Sequence, residues 1–197
     1  MIKMNVRVYY RNNSMFQACS GGMKKLLGAA EAEDMYLQRF PFYIPDPPQY
    51  SHLLQDAVAN SLLRHFHSSD LVALQSTGDG NCLFNSLSIL LIGNEDLSVE
   101  LRCRVAVELA VNRKRIMRHP LFHKLSDNKD FEEDILRCPK PGSYSSMNVF
   151  LAAASMLRMP IDVVYPAVNS ASSYLYRTMN CRIEFAHTSV ARSVSLM

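Results

Sequence analysis

The sequence offers little that would tie it together covalently. Its five cysteines, Cys19, Cys82, Cys103, Cys138 and Cys181, are odd in number and widely spaced, and no CxxC pair occurs among them. That pattern speaks against a disulfide framework and against a structural zinc site. Glycine and proline number only 7 and 9, in a chain that is 48% hydrophobic and 20% charged. Collagen-like and generally disordered classes are excluded on that balance. Neither sign of charge dominates: 21 Lys and Arg face 18 Asp and Glu, a surplus of +3. So small a surplus does not by itself call for a nucleic-acid or membrane partner. Long apolar runs are missing too. The best candidate, residues 149–165, is broken by Arg158, Pro160 and Asp162, short of the roughly 18 uninterrupted residues that a membrane span needs. Met1 to Arg7 lacks the apolar core of a signal peptide. Free thiols without a leader predict a soluble intracellular protein, cytoplasmic or nuclear, with no membrane partner.

What is present is enough for one domain with an extension: 197 residues and 22.3 kDa. Residues 1–43 have no clean period and read as a poorly defined N-terminal extension, with a short helix over 29–39. Residues 44–49, Ile44-Pro45-Asp46-Pro47-Pro48-Gln49, read as a Pro-rich linker. The main domain is placed at 50–190 and a C-terminal tail at 191–197. Leu54, Val58, Leu62 and Phe66 recur every fourth residue, which predicts one helical face over 50–66. Leu71 to Leu74 suggests a strand. Leu83, Leu87, Leu90 and Leu91 predict a helix over 82–92 with Gly93 as its stop. Ser98 resembles an N-cap for a helix running to about Met117. A further turn or two is expected over 131–136, and an Ala- and Met-rich helix over 145–157. Strands are expected at 161–165, 174–176 and 182–185.

The chemistry concentrates in Gly78-Asp79-Gly80-Asn81-Cys82-Leu83-Phe84. A cysteine here follows a glycine-rich turn and opens an apolar helix. Unpaired N–H groups and a partial positive charge at a helix start favour a thiolate. Glycines let a substrate approach the backbone, and the amides from Asp79 to Cys82 are placed to stabilise an oxyanion. A buried structural cysteine after an ordinary turn is the bland alternative.

Asp79 to Phe84 resembles the signature of the OTU cysteine peptidases, a papain-like family of deubiquitinating enzymes. Pro141-Gly142-Ser143-Tyr144, the helix to Leu157 and the strand at Ile161 to Tyr165 look like that family's Gly-x-Trp turn, helix and buried strand, with Tyr144 where the family often has Trp. Within it, the likeness is greater to the OTU-like domain of vertnin and of transposable-element proteins. Thr77 to Asn81, Gly93-Asn94-Glu95, Leu97 to Arg104, residues 141–147, Pro160-Ile161 and Val164-Tyr165-Pro166 carry it. The resemblance implies an α+β, papain-like OTU fold with a small central, mostly antiparallel sheet flanked by helices. It implies a thiol-dependent deubiquitinase that cleaves ubiquitin (iso)peptide bonds, with ubiquitin or a ubiquitinated protein as partner and no cofactor or metal. Cys82 would be the nucleophile and His187, just past the strand at 182–185, the base. Asp79 would shape the catalytic loop, and Gly80 and Asn81 would lie at the oxyanion site. Asp79 also reads as a turn residue bonding its own backbone. Thr188 stands where the family usually has an aromatic residue, and Ser189 and Glu184 are the nearest residues that could orient the imidazole. The vertnin likeness implies the alternative: a catalytically weak or inactive binding or regulatory module.

Other features read more simply. His65 and His67, like His119 and His123, have spacing suited to a metal but no third ligand placed by sequence, so they read as solvated or capping histidines. Arg113-Lys114-Arg115 with Arg118 reads as the solvated end of a helix, with nucleic acid as a weaker alternative partner. Cys103, Cys138 and Cys181 read as packing or loop residues.

Overall fold

The computed structural model describes residues 14–38, 48, 50–63, 71–125, 131–164, 181–185 and 194–196. Among these, after a helical stretch at 14–19, the helices in chain order are α1 (Met23–Leu37), α2 (Ala57–Leu63), α3 (Cys82–Ile92), α4 (Ser98–Val111), α5 (Arg113–Met117), α6 (Phe122–Leu125), α7 (Phe131–Arg137) and α8 (Met147–Leu157). Three short strands follow: β1 (Ile161–Val163), β2 (Cys181–Ile183) and β3 (Val194–Leu196).

Helix α4 organises the rest because it is apolar around most of its girth. Leu101, Val105, Leu109 and Ala110 are fully buried, and Cys103, Ala106 and Val107 nearly so. A helix apolar on several sides needs several partners, and α4 packs against α1, α3 and α8. Helix α8 answers with Leu151, Ala152, Ala153 and Ala154, all at zero exposure. Its alanines let the two backbones approach closely. Each large aliphatic side chain buried in this way contributes roughly 1.5–3 kcal/mol.

The sheet is small, with β1 in its centre. β2 pairs with β1 antiparallel, in the register Ile161↔Ile183, and β3 pairs with β1 parallel, Ile161 opposite Val194. Helix α8 lies against β2, and α3 lies against β3. A short sheet flanked by helices is the α+β arrangement that the sequence led us to expect. Residues 194–196, read from sequence as part of a tail, form the parallel edge of this sheet. The strand expected at 174–176 and the linker 44–49, apart from Pro48, lie outside the described residues.

N-terminal to that linker, α1 supplies Leu26 and Ala30, both at zero exposure, and Met15 and Cys19 before it are buried in the same cluster. These residues therefore complete the face of α4 that α3 and α8 leave open.

Four local expectations fail for identifiable reasons. The helix expected over 50–66 begins only at Ala57, because Asp56 Oδ1 accepts the Ala59 amide at 2.9 Å and caps the chain there. Leu54 and Val58, expected on its buried face, are each 72% exposed. The strand expected at 71–74 is reduced to a single bridge, Gln55↔Leu74. Asn60 supplements that pairing: its amide nitrogen donates to Ala73 O at 3.1 Å, beside the Asp56 amide at 3.0 Å, and its Oδ1 accepts the Ala73 amide at 2.8 Å. A side chain thus satisfies the Ala73 amide, which would otherwise need a neighbouring strand. The long helix expected from Ser98 to Met117 breaks at Asn112, whose Nδ2 bonds back to Glu108 Oε2 at 2.9 Å. Ser98 is no cap. Its hydroxyl reaches Asn85 Oδ1 in α3 instead.

Candidate functional site

Cys82 is the first residue of α3, an eleven-residue helix ended by Gly93 in the left-handed conformation at φ 80°. Its thiol is half-buried, whereas Cys19, Cys103 and Cys138 are buried in the core. The turn ahead of it is closed by side chains. Asp79 Oδ1 accepts the Asn81 amide at 2.9 Å and Asn85 Nδ2 at 3.1 Å, and its Oδ2 accepts Asn81 Nδ2 at 2.7 Å. The Asn85 amide, itself buried, also donates to Thr77 O at 3.0 Å. Asp79 therefore holds the turn by bonding its own neighbours.

Those bonds, foremost the one from the Asn81 side chain, favour the charged carboxylate and pull the Asp79 pKa below the ordinary value of 3.8. A depressed pKa stabilises the fold above the unfolded value and loses that contribution as pH falls through the folded one. Asp79→Asn is expected to remove this acid-side dependence, seen as a smaller drop in the urea midpoint below about pH 4.

Gly80 sits at φ 83°, and a Cβ placed on it would meet Gly142 O at 2.1 Å. The loop at 138–143 therefore presses directly on the turn. Asn81 stitches the two together, because its Oδ1 accepts both the Gly142 amide at 3.0 Å and Arg102 Nη2 at 2.8 Å. One amide is thereby removed from the set that the sequence offered for an oxyanion: Asn81 N–H is bonded to Asp79. The amides of Gly80 and Cys82 have no hydrogen-bond partner among the described residues.

Arg102 is the residue that sequence reasoning missed. Its side chain comes from α4 and is only 3% exposed. Nη1 donates to Cys138 O at 2.9 Å and Lys140 O at 3.0 Å. Nη2 donates to Asn81 Oδ1, to Gly80 O at 3.2 Å and to Ser143 O at 3.2 Å. The guanidinium also lies 4.3 Å from the ring centre of Phe84, which is fully buried. Burial lowers the Arg102 pKa, and its electrostatic interactions with Cys138, Asp79 and Cys82 oppose that fall. The signal available in sequence was a lone arginine among Leu101, Cys103 and Val105 on an otherwise apolar helix.

His187, the expected base, lies outside the described residues. The chain leading to it is held in place by His119. The Leu121 amide donates to His119 Nδ1 at 3.3 Å, which leaves Nε2 as the protonated nitrogen, and Nε2 donates to Glu184 O at 2.9 Å. The His119 ring packs on Phe185 with centroids 4.6 Å apart. His119 is thus a strut for the end of β2. Among the described residues, no group of three His, Cys, Asp or Glu side chains is placed to hold a metal. His65 and His67 lie outside the described residues. Tyr144 is 75% exposed beside the 138–143 loop. Among the described residues, no helix is long and apolar enough to cross a membrane.

A cysteine at a helix start, a loop clamped under it and a small sheet beside α3 define an OTU-type α+β domain. The OTU-domain model of vertnin matches this chain over residues 73–130 and 122–197. The chain belongs to the vertnin OTU-domain family. It is similar to vertnin of Mus musculus, with 28% identity covering 76% of this chain and 24% of the relative, and to vertnin of Homo sapiens, with 27% identity covering 75% and 25%. Vertnin of Danio rerio is 28% identical over 65% of this chain and 22% of its own length. The chain thus spans about a quarter of the length of these curated relatives.

Proposed function

We propose that this domain is a thiol-dependent deubiquitinase of the OTU type. The observation that carries the reading is the setting of Cys82: a half-buried thiol at the start of an eleven-residue helix, on a turn held by Asp79 and Asn81 and clamped to a second loop. In this reading the Cys82 thiolate attacks the carbonyl carbon at the C-terminal glycine of ubiquitin. His187 takes the thiol proton and returns it to the departing amine, and a thioester remains on Sγ. Water, deprotonated by the same imidazole, attacks the thioester and releases the carboxylate and the thiol. The amides of Gly80 and Cys82 are the oxyanion donors in this scheme, and removing one such donor typically costs about 2.7–4 kcal/mol.

One observation favours a second reading, a non-catalytic OTU-like module that binds ubiquitin or another partner. The Asn81 amide is committed to Asp79, so the turn offers fewer donors than its sequence suggests. A ubiquitin propargylamide probe separates the two. Native protein is expected to become covalently labelled at Cys82, and Cys82→Ala to lose all labelling while keeping its fold. If an active OTU enzyme is labelled in the same assay and the native protein is not, the deubiquitinase reading fails. Ubiquitin binding without labelling would then establish the second.

A further inference from the structure

We infer that Arg102 is the positioning residue of the site: its guanidinium fork fixes the turn carrying Cys82 against the 138–143 loop and holds a positive charge behind the thiol. The inference rests on reading Cys82 as a nucleophile, and it names what prepares that nucleophile.

The geometry is specific. Arg102 sits one helical turn from the start of α4, and its two terminal nitrogens reach five oxygens on two separate stretches of chain, the turn at 80–81 and the loop at 138–143. Four of these oxygens are main-chain carbonyls and the fifth is Asn81 Oδ1. Among the described residues, no carboxylate bonds it directly. Burying a cation without a paired anion is costly, so an arginine here solely for packing would be a poor choice beside a leucine or methionine of similar reach. What the arginine gains is the turn. Two of its acceptors, Gly80 O and Asn81 Oδ1, belong to the two residues immediately before Cys82. Asn81 passes the contact on, because its Nδ2 donates to Asp79 Oδ2. The order Arg102, Asn81, Asp79 therefore fixes the turn from behind and leaves its outer side to a substrate. Phe84, stacked on the guanidinium, stops the fork from swinging into α3.

The groups whose charge bears on Arg102 are Cys138 from the facing loop and Asp79 and Cys82 from the turn. Asp79 is negative and Arg102 positive, so loss of the arginine leaves the thiol beside an uncompensated carboxylate. A planar fork satisfying several carbonyls at once is beyond lysine, whose ammonium is a point donor.

The test is the rate at which iodoacetamide alkylates Cys82, resolved by mass spectrometry across pH, in native protein, Arg102→Gln and Arg102→Lys. Cys103 and Cys138, both buried, report folding in the same samples. In folded Arg102→Gln the Cys82 rate at pH 7 is expected to change by roughly tenfold or more, because Gly80 and Asn81 lose the fork that fixes the turn carrying the thiol. Arg102→Lys keeps the charge and loses the fork. Its profile is expected to stay near the native one, while labelling by ubiquitin propargylamide slows by roughly tenfold or more through loss of geometry. A folded Arg102→Gln with the native Cys82 rate and profile overturns the inference. If that variant exposes Cys103 and Cys138, Arg102→Lys decides: slowed probe labelling at native alkylation supports the inference, and native labelling overturns it. Should the native protein not react with the ubiquitin probe, the deubiquitinase reading fails on its own. Disulfide-linked labelling of Cys82 by a bulky aromatic disulfide then replaces the probe, with the same two outcomes.

Discussion

Gly80→Ala is expected to destabilise the domain by about 2–5 kcal/mol, while Gly78→Ala changes it by less than about 1 kcal/mol. In sequence the two glycines flank Asp79 symmetrically and look equivalent. In the structure they differ in both backbone and surroundings. Gly80 is at φ 83°, where an L side chain costs roughly 1–2 kcal/mol. Its added methyl would also meet Gly142 O at 2.1 Å, and that oxygen belongs to backbone that cannot rotate away. Overpacking of this kind typically adds about 1–3 kcal/mol. Gly78 has no atom within 4 Å of a built Cβ, and its φ lies outside the left-handed region. Urea unfolding of the two variants checks this. Equal midpoints would mean that the 138–143 loop does not press on the turn as described. Since domains are stable by only about 5–15 kcal/mol, Gly80→Ala should be visible in expression as well.

Much of the scaffold was legible because it rests on local signals. The helix at 82–92 was readable to the residue: apolar side chains recur on one face, and Gly93 can take φ 80° at no cost. Helix α8 and strand β1 were readable for similar reasons, a continuous apolar run and then a proline between them. The misread segments are those where a side chain from elsewhere does a backbone's work. Asn60 accepts the Ala73 amide, and Ser98 serves Asn85 rather than its own helix. Periodicity carries no trace of either bond, because each links residues thirteen apart through a polar group that would be equally at home in solvent.

The site divides the same way. Cys82 and its turn were legible, since glycine, aspartate and asparagine before an apolar helix have a local mechanism. The clamp was not. Arg102 lies 22 residues from Gly80 and 41 from Ser143 in sequence, and only the packing of α4 against α3 brings them together. His119 was weighed as a metal ligand from its spacing with His123. It instead holds Glu184 O, 65 residues away. Polar residues that hold a site together are chosen by tertiary contact, so a pattern read along the chain finds the group that reacts before it finds the groups that support it.

The same clamp predicts an alkaline limit on stability. Cys138 is buried behind Arg102, and burial pushes its thiol from 9.0 up to about 12, with Arg102 pulling the other way. Between pH 9 and 12 the native state therefore keeps a proton that the unfolded chain has released. Stability falls with pH wherever the native state binds more protons, by about 1.4 kcal/mol per pH unit for one group. Across that window Cys138 alone removes about 4 kcal/mol. Cys19 and Cys181, also raised by burial, add to the native slope but are common to both proteins compared. Cys138→Ala is expected to lose about 1 kcal/mol at pH 7 from the missing sulfur, and then to lose stability more gently above pH 9. The two curves should cross before pH 11, read as urea midpoints under reducing conditions. Parallel curves would mean that Cys138 ionises freely in the native state. Because Cys138 O accepts from Arg102 Nη1, ionisation that opens the 138–143 loop must also release Gly80 and Asn81. The Cys82 alkylation rate should therefore change abruptly over the pH range where the native midpoint drops, and show no such step in Cys138→Ala.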